Sequence, residues 1–194
     1  MLSNAYLNPL DHRMAERGFQ MVRYADDFVI LCRTPEEAEA ALAEVRRWVE
    51  DHGLTLHPEK THIVDSRETS FSFLGYSFRG RLRFPRAKSH QKFVERIREL
   101  TPRKSGDSLE EMIQRINRST QGWYNYFRHC HWNIFPNYDG MIRRRLRRVL
   151  LKRHRKNRKR LSRNQRWPNA FFTKHGFKSL NDAHIRFVQS TGTY

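Results

Sequence analysis

Cysteine is scarce: Cys32 and Cys130 are the only two among 194 residues. Two thiols exclude a disulfide framework and leave a reducing compartment as the default. No apolar run is long enough to span a bilayer, and the N-terminus lacks a signal-peptide core. Paired cysteines at finger spacing are also absent. His129–Cys130–His131 places its ligand types side by side with no CxxC beside them. That pattern argues against zinc and for an ordinary helix surface. No internal repeat is present. Acidic residues are missing from a whole stretch, with none between residues 140 and 181.

What is present is positive charge. The chain carries 38 Lys/Arg against 20 Asp/Glu, a formal charge of +18. The imbalance is local: residues 1–97 hold 15 basic and 14 acidic side chains, residues 98–194 hold 23 and 6. Residues 143–166 alone contain 14 Lys/Arg. A charge run is usually a solvated face. Here no acid offsets it, so self-repulsion points to a polyanion, nucleic acid before a membrane surface. A phosphate backbone would relieve the repulsion and release counterions. Arg143, Arg144, Arg145, Arg147, Arg148, Lys152, Arg153, Arg155, Lys156, Arg158, Lys159 and Arg160 are the candidate contacts. Trp123, Tyr124, Tyr126, Trp132, Tyr138 and Trp167 lie in and around this region, some for the core and one or two for base stacking.

The pattern of elements predicts an α+β chain. Leu7, Leu10 and Met14 mark a short amphipathic helix that stops at Gly18. Residues 19–24 and 28–32 read as strands, with Ala25–Asp26–Asp27 as the tight connection. Thr34, Pro35 and Glu37 supply an N-cap, a first-turn proline and a capping box. Ala38, Ala41, Leu42, Val45, Trp48 and Val49 follow on one face until Gly53. "LTLHPEKTHIV" reads as extended and is interrupted at Pro58; "FSFLGYSF" reads as one strand, with "RGRLRF" returning along it. Helical patterns then cover roughly 89–100, 108–129 and 139–160, the second opened by a capping box from Ser108 to Glu111.

Asp26 and Asp27 stand between two apolar strands. Adjacent strand residues face opposite sides, so two neighbouring acids address one object only where the backbone turns. Aspartate is common in turns for local backbone bonding, which explains the dipeptide taken alone. Rigid apolar strands on both sides also suit a divalent-cation site, because Mg²⁺ is held by one or two carboxylates plus substrate phosphates. Two such ions clamp a phosphoryl transfer.

"YADD" in this setting resembles the active-site hairpin of reverse transcriptases. "LSNAYLNPLD", "GLTLHPEKTHIV" and "FSFLGYSF" resemble the neighbouring blocks of group II intron-encoded enzymes, in the same order. "SLEEMIQRINRSTQGWYNYF" and "GMIRRRLRRVLLKR" resemble the maturase-specific region, also called domain X or thumb. The resemblance covers nearly the whole chain. It implies part of a reverse-transcriptase palm over 1–85, a basic all-α maturase domain over 86–165 and an extension over 166–194. It implies Asp26 and Asp27 as Mg²⁺ ligands and Tyr24 beside the primer end and incoming nucleotide. Lys60 would assist the leaving pyrophosphate by charge or proton donation; a surface lysine after Pro58–Glu59 has the same signature. Phe73, Leu74, Gly75 and Tyr76 would form the primer-grip hairpin. The implied partners are group II intron RNA, an RNA template, a DNA primer and deoxynucleoside triphosphates, in a bacterial cytoplasm.

The departures set further expectations. The family's third aspartate lies on a strand upstream of YADD, and the fingers lie upstream as well. Asp11 belongs to the wrong block to replace that ligand. The expectation is therefore a C-terminal portion with an incomplete metal site, inactive as a polymerase alone: a truncated gene, one half of a split protein whose N-terminal piece is a further partner, or a part of a longer chain. A non-enzymatic RNA-binding splicing factor and a degenerate remnant are the alternatives. "WPNAFFTKHGFKSL" resembles the short family ending without an HNH-like nuclease.

Overall fold

The computed structural model describes residues 2–104, 106–154 and 162–192. The protein is α+β and forms two compact units, residues 1–81 and 82–194.

In the first unit α1 (Leu2–Glu16) precedes the antiparallel pair β1 (Gln20–Tyr24) and β2 (Asp27–Leu31), then α2 (Pro35–Asp51). Helix α1 runs straight through Pro9. The Thr34 hydroxyl accepts from the Glu37 N–H at 3.2 Å, as expected of an N-cap. The Glu37 carboxylate accepts from the Arg33 N–H at 2.6 Å, one residue before the partner a capping box uses. Leu10 and Met14 of α1 pack against Ala41, Val45, Trp48 and Val49 of α2. Phe19, Met21, Phe28, Ile30 and Cys32 cover this core from the hairpin side. Each such buried aliphatic contributes about 1.5–3 kcal/mol relative to exposure. Glu44 is buried in the same layer, hydrogen-bonded by Arg13 and flanked by Arg17 and Arg47 at 3.5 Å each. The Arg13 bond holds its carboxyl below the usual range.

"LTLHPEKTHIV" forms no strand; it turns at residues 58–60. "FSFLGYSF" is a hairpin rather than one strand. β3 (Phe71–Phe73) pairs antiparallel with β4 (Tyr76–Arg79) across Leu74–Gly75. Leu74 and Gly75 have φ of +48° and +79°. A two-residue type I′ turn needs positive φ at both central positions, so the chain reverses here.

The second unit contains β5 (Leu82–Pro85), α3 (Ala87–Leu100), α4 (Leu109–Phe127), α5 (Ile134–Arg153), α6 (Arg163–Arg166), α7 (Asn169–Lys174) and α8 (Leu180–Thr191). The Ser108–Glu111 capping box is present and opens α4. Helix α5 begins at Ile134, not near Asp139. Pro136 falls in its first turn, where no backbone N–H is needed. Its C-cap is His154, whose N–H reaches Leu150 O at 2.9 Å. Residues 155–160, which complete the predicted 139–160 helix, lie outside the described residues. Ile97, Met112, Ile113, Ile116, Phe135, Ile142, Leu146 and Phe172 are fully buried. Trp123, Phe93 and Tyr138 stack edge to face or tilted, with centroids 4.6–4.9 Å apart.

The segment after 166 is built into this unit. The Asp139 carboxylate is 1% exposed. It accepts from Ser179 Oγ at 2.6 Å, Leu180 N at 3.0 Å and Asn181 N at 3.2 Å. One acid on α5 thereby caps the start of α8. Cys130 is not on a helix surface: it follows α4, is buried, and burial pushes its thiol up to about 12.

Candidate functional site

The strand register decides what the acid pair can do. Tyr24 pairs with Asp27, so the connection is two residues, Ala25–Asp26, and Asp27 belongs to β2. Met21 and Arg23 face inward with Phe28 and Ile30, while Val22, Tyr24, Asp27 and Leu31 are exposed. Ala25 has φ +55°, a conformation that side-chain-bearing residues rarely adopt.

Arg23 braces that turn. Its side chain is 9% exposed. Nε and Nη2 donate to the two carboxylate oxygens of Asp11 at 2.8 and 2.5 Å. Nη1 donates to Asn4 Oδ1 at 3.1 Å and to the Ala25 carbonyl at 2.8 Å. One guanidinium therefore ties α1 to the carbonyl of the strained residue. The hydrogen bond with Asp11 raises the Arg23 pKa above its ordinary value. Sequence reasoning missed this role. The signal was an arginine on the inward phase of an alternating strand.

Asp26 and Asp27 are both exposed. Neither makes an ion pair among the described residues. Their hard oxygen donors fit Mg²⁺, which takes one or two carboxylates and completes its shell with water and phosphate. Among the described residues no group of three or more His, Cys, Asp or Glu is placed so that it could hold a metal ion. Asp11 is engaged by Arg23. Tyr24, 67% exposed, stands opposite Asp27. Lys60 is exposed on a turn, its N–H bonded to His57 O at 3.2 Å, and no hydrogen bond or ion pair joins it to the acids. Phe73, Leu74, Gly75 and Tyr76 are half-buried in the β3–β4 turn, with Phe71 and Phe78 stacked at 5.1 Å behind them. The backbone conformation accounts for Gly75 without a close-approaching ligand.

The basic helix divides into two populations. Arg147 is 7% exposed. Its Nε donates to Trp167 O and its Nη2 to Asn169 Oδ1, both at 2.8 Å, with the guanidinium 5.2 Å from the Phe172 ring centre. Burial first, then Arg143, holds its pKa below the ordinary value. Arg145 donates to Thr101 Oγ1 at 2.6 Å and reaches the carbonyls of Thr101 and Arg98, closing the end of α3. Arg143 sits over Phe177, 5.2 Å from the ring centre. Arg145 and Arg147, expected as phosphate contacts, are largely occupied by hydrogen bonds within the unit; Arg143, expected likewise, lies over Phe177 while its buried Nε has no hydrogen-bond partner among the described residues. Arg144, Arg148, Lys152 and Arg153 are exposed. Arg155, Lys156, Arg158, Lys159 and Arg160 lie outside the described residues. Of the aromatics, Tyr124, Tyr138 and Trp167 are core and Trp123 is half-buried, whereas Tyr126 and Trp132 are 52% and 62% exposed. No helix among the described residues is long and apolar enough to cross a membrane.

Fold and site define an α+β protein with an acid-tipped hairpin in one unit and a basic helical bundle in the other. Residues 1–78 match the family model for reverse transcriptase (RNA-dependent DNA polymerase), and residues 90–167 match the group II intron, maturase-specific domain. The chain belongs to the group II intron reverse transcriptase/maturase family. A search of curated proteins returned no match.

Proposed function

We propose that this chain supplies the catalytic hairpin and the RNA-holding domain of a group II intron reverse transcriptase/maturase. The observation that carries the reading is the pair of exposed carboxylates, Asp26 and Asp27, at a turn fixed by Arg23. When bound, Mg²⁺ activates the primer 3′-hydroxyl and stabilises the leaving pyrophosphate. Asp26 and Asp27 would hold it, and the Arg23–Ala25 bond keeps the two acids together despite their repulsion. Tyr24 presents a ring beside them for the primer end or incoming nucleotide. Phe73–Tyr76 forms the primer grip, and Lys60 adds positive charge for the leaving group.

The second unit holds intron RNA through the exposed Arg144, Arg148, Lys152 and Arg153, stabilising its spliceable form and retaining it for copying. Two acids make only part of a two-ion site. The reading therefore has the third acid and the triphosphate-gripping residues come from polypeptide outside residues 1–194. The chain alone should bind RNA and leave a DNA primer unextended. Primer extension with Mg²⁺, with and without an added upstream palm polypeptide, tests this. Extension should need the added piece and vanish with Asp26→Ala and Asp27→Ala while RNA binding persists. Extension that survives both substitutions overturns the metal assignment.

A further inference from the structure

Four arginines converge where α3 and α5 meet. A cavity of about 140 Å³ is lined by Val94, Arg98, Met141, Arg144, Arg145 and Arg148. No carboxylate lines it. Arg98, Arg144 and Arg148 make no side-chain hydrogen bond or ion pair among the described residues. Arg145 differs: Nε and Nη2 are locked onto Thr101 and the Arg98 carbonyl, whereas Nη1 has no partner among the described residues. Burial, then the like charges of Arg98, Arg148 and Arg103, hold its pKa below the ordinary guanidinium value.

A solvated charge face spreads its cations apart. Here they crowd one concave spot, where low-dielectric walls focus the field. Val94 and Met141 provide such a wall. Guanidinium forks match phosphate oxygens in pairs, and an arginine already fixed in place loses little freedom on binding. Arg98 comes from a different helix than the basic run, so the run itself does not define this site.

We infer that this cavity is a discrete site for one phosphodiester group of bound RNA, with Arg145 as its fixed base and Arg98, Arg144 and Arg148 closing on the anion. The inference rests on the RNA-binding reading above and names where that surface grips. Free phosphate shares the chemistry, and the test separates the two.

The experiment uses the full chain. A fluorescein-labelled RNA stem-loop is titrated by anisotropy over a range of KCl. Arg98→Ser/Arg144→Ser is compared with Arg118→Ser/Lys174→Ser, which removes the same charge from exposed positions outside the cavity. Circular dichroism melts check that both fold; the locked Arg145 is left alone. The cavity pair should weaken binding about tenfold and lower the salt slope by about 1, with a smaller effect from the outer pair. Equal losses from the two pairs overturn the discrete site but leave RNA binding intact. No binding by the wild type overturns the RNA reading and this inference with it. A melt in inorganic phosphate against chloride at equal ionic strength identifies the source. Stabilisation lost in the cavity pair, together with unchanged RNA affinity, would assign the cavity to free phosphate and reject the backbone assignment.

Discussion

Residues 1–81 hold 13 Asp/Glu against 10 Lys/Arg, and residues 82–194 hold 7 against 28. In the first unit, acids outnumber bases, yet the buried charges are paired: Glu44 with three arginines, Arg23 with Asp11. Asp26 and Asp27 at the hairpin tip, with no ion pair among the described residues, are the acids of the proposed metal site. In the second unit the sign is reversed and so is the logic. Acids are few, and one of them, Asp139, is the buried cap of α8. Arginines are abundant, and part of them face solvent.

The comparison breaks most visibly at Asp139. Replacing it with Ala strands a hydroxyl and two backbone N–H groups in a buried place. The expected loss is about 3 kcal/mol, since charged hydrogen bonds are each worth roughly 1.5–3 kcal/mol and the orphaned donors add to it. Urea unfolding followed by near-ultraviolet circular dichroism measures this. A loss within experimental error would mean that α8 docks by its apolar face alone.

Next in size is the split within the basic helix. Arg147→Ala removes two hydrogen bonds to the segment after α6 and should cost about 2 kcal/mol. Arg148→Ala removes no side-chain hydrogen bond or ion pair among the described residues and should stay within about 0.5 kcal/mol. RNA binding should respond the other way, the salt slope falling for Arg148→Ala and holding for Arg147→Ala when both are measured below their melting range. Identical salt slopes for the two would erase the distinction between buried and exposed arginines.

That distinction is also where the sequence stops being informative. The hairpin, the Ser108 capping box and the inward face of α2 were legible because alternation, caps and 3.6-residue spacing are local rules. The acid pair stood out because two like charges interrupt an apolar pattern. Arg147 reads like its neighbours in "RRRLRR", and contacts with Trp167, Asn169 and Phe172, twenty or more residues on, set it apart. Arg23 binds Asp11 across twelve residues, and Arg145 binds Thr101 across forty-four. Charge type announces a cation; tertiary packing decides whether it meets water, a carbonyl or a phosphate. The pattern of "FSFLGYSF" reads as one strand for a different reason: Leu-Gly is an uncommon pair for a turn that favours Asn-Gly, and only the family resemblance points to a hairpin there.

A pH scan sharpens the second unit further. His184 is 9% exposed against the Phe135 ring at 4.4 Å, and burial holds its pKa below the ordinary imidazole value. The folded state refuses a proton that the unfolded chain accepts below its reference value of about 6.5. Stability should thus fall as pH drops from neutrality through that value. His184→Leu should flatten the fall in urea midpoint. His129, also shifted down chiefly by burial, leaves a residual slope. An unchanged slope would move the effect to His129.

The smallest stability change belongs to a residue of the proposed metal site. Asp26 is exposed and makes no ion pair among the described residues, so Asp26→Asn removes no contact that holds the fold. It relieves repulsion from Asp27 by a few tenths of a kcal/mol, within the usual surface range of about 0.5 kcal/mol. Arg23→Ala, by contrast, frees the Ala25 carbonyl and leaves Asp11 without its partner, so it should lower the melting temperature. Measured together in differential scanning calorimetry, Asp26→Asn should match or slightly exceed the wild type while Arg23→Ala falls below both. If Asp26→Asn melts as low as Arg23→Ala, the acid is a structural turn residue, and the division between braced scaffold and free tip is wrong.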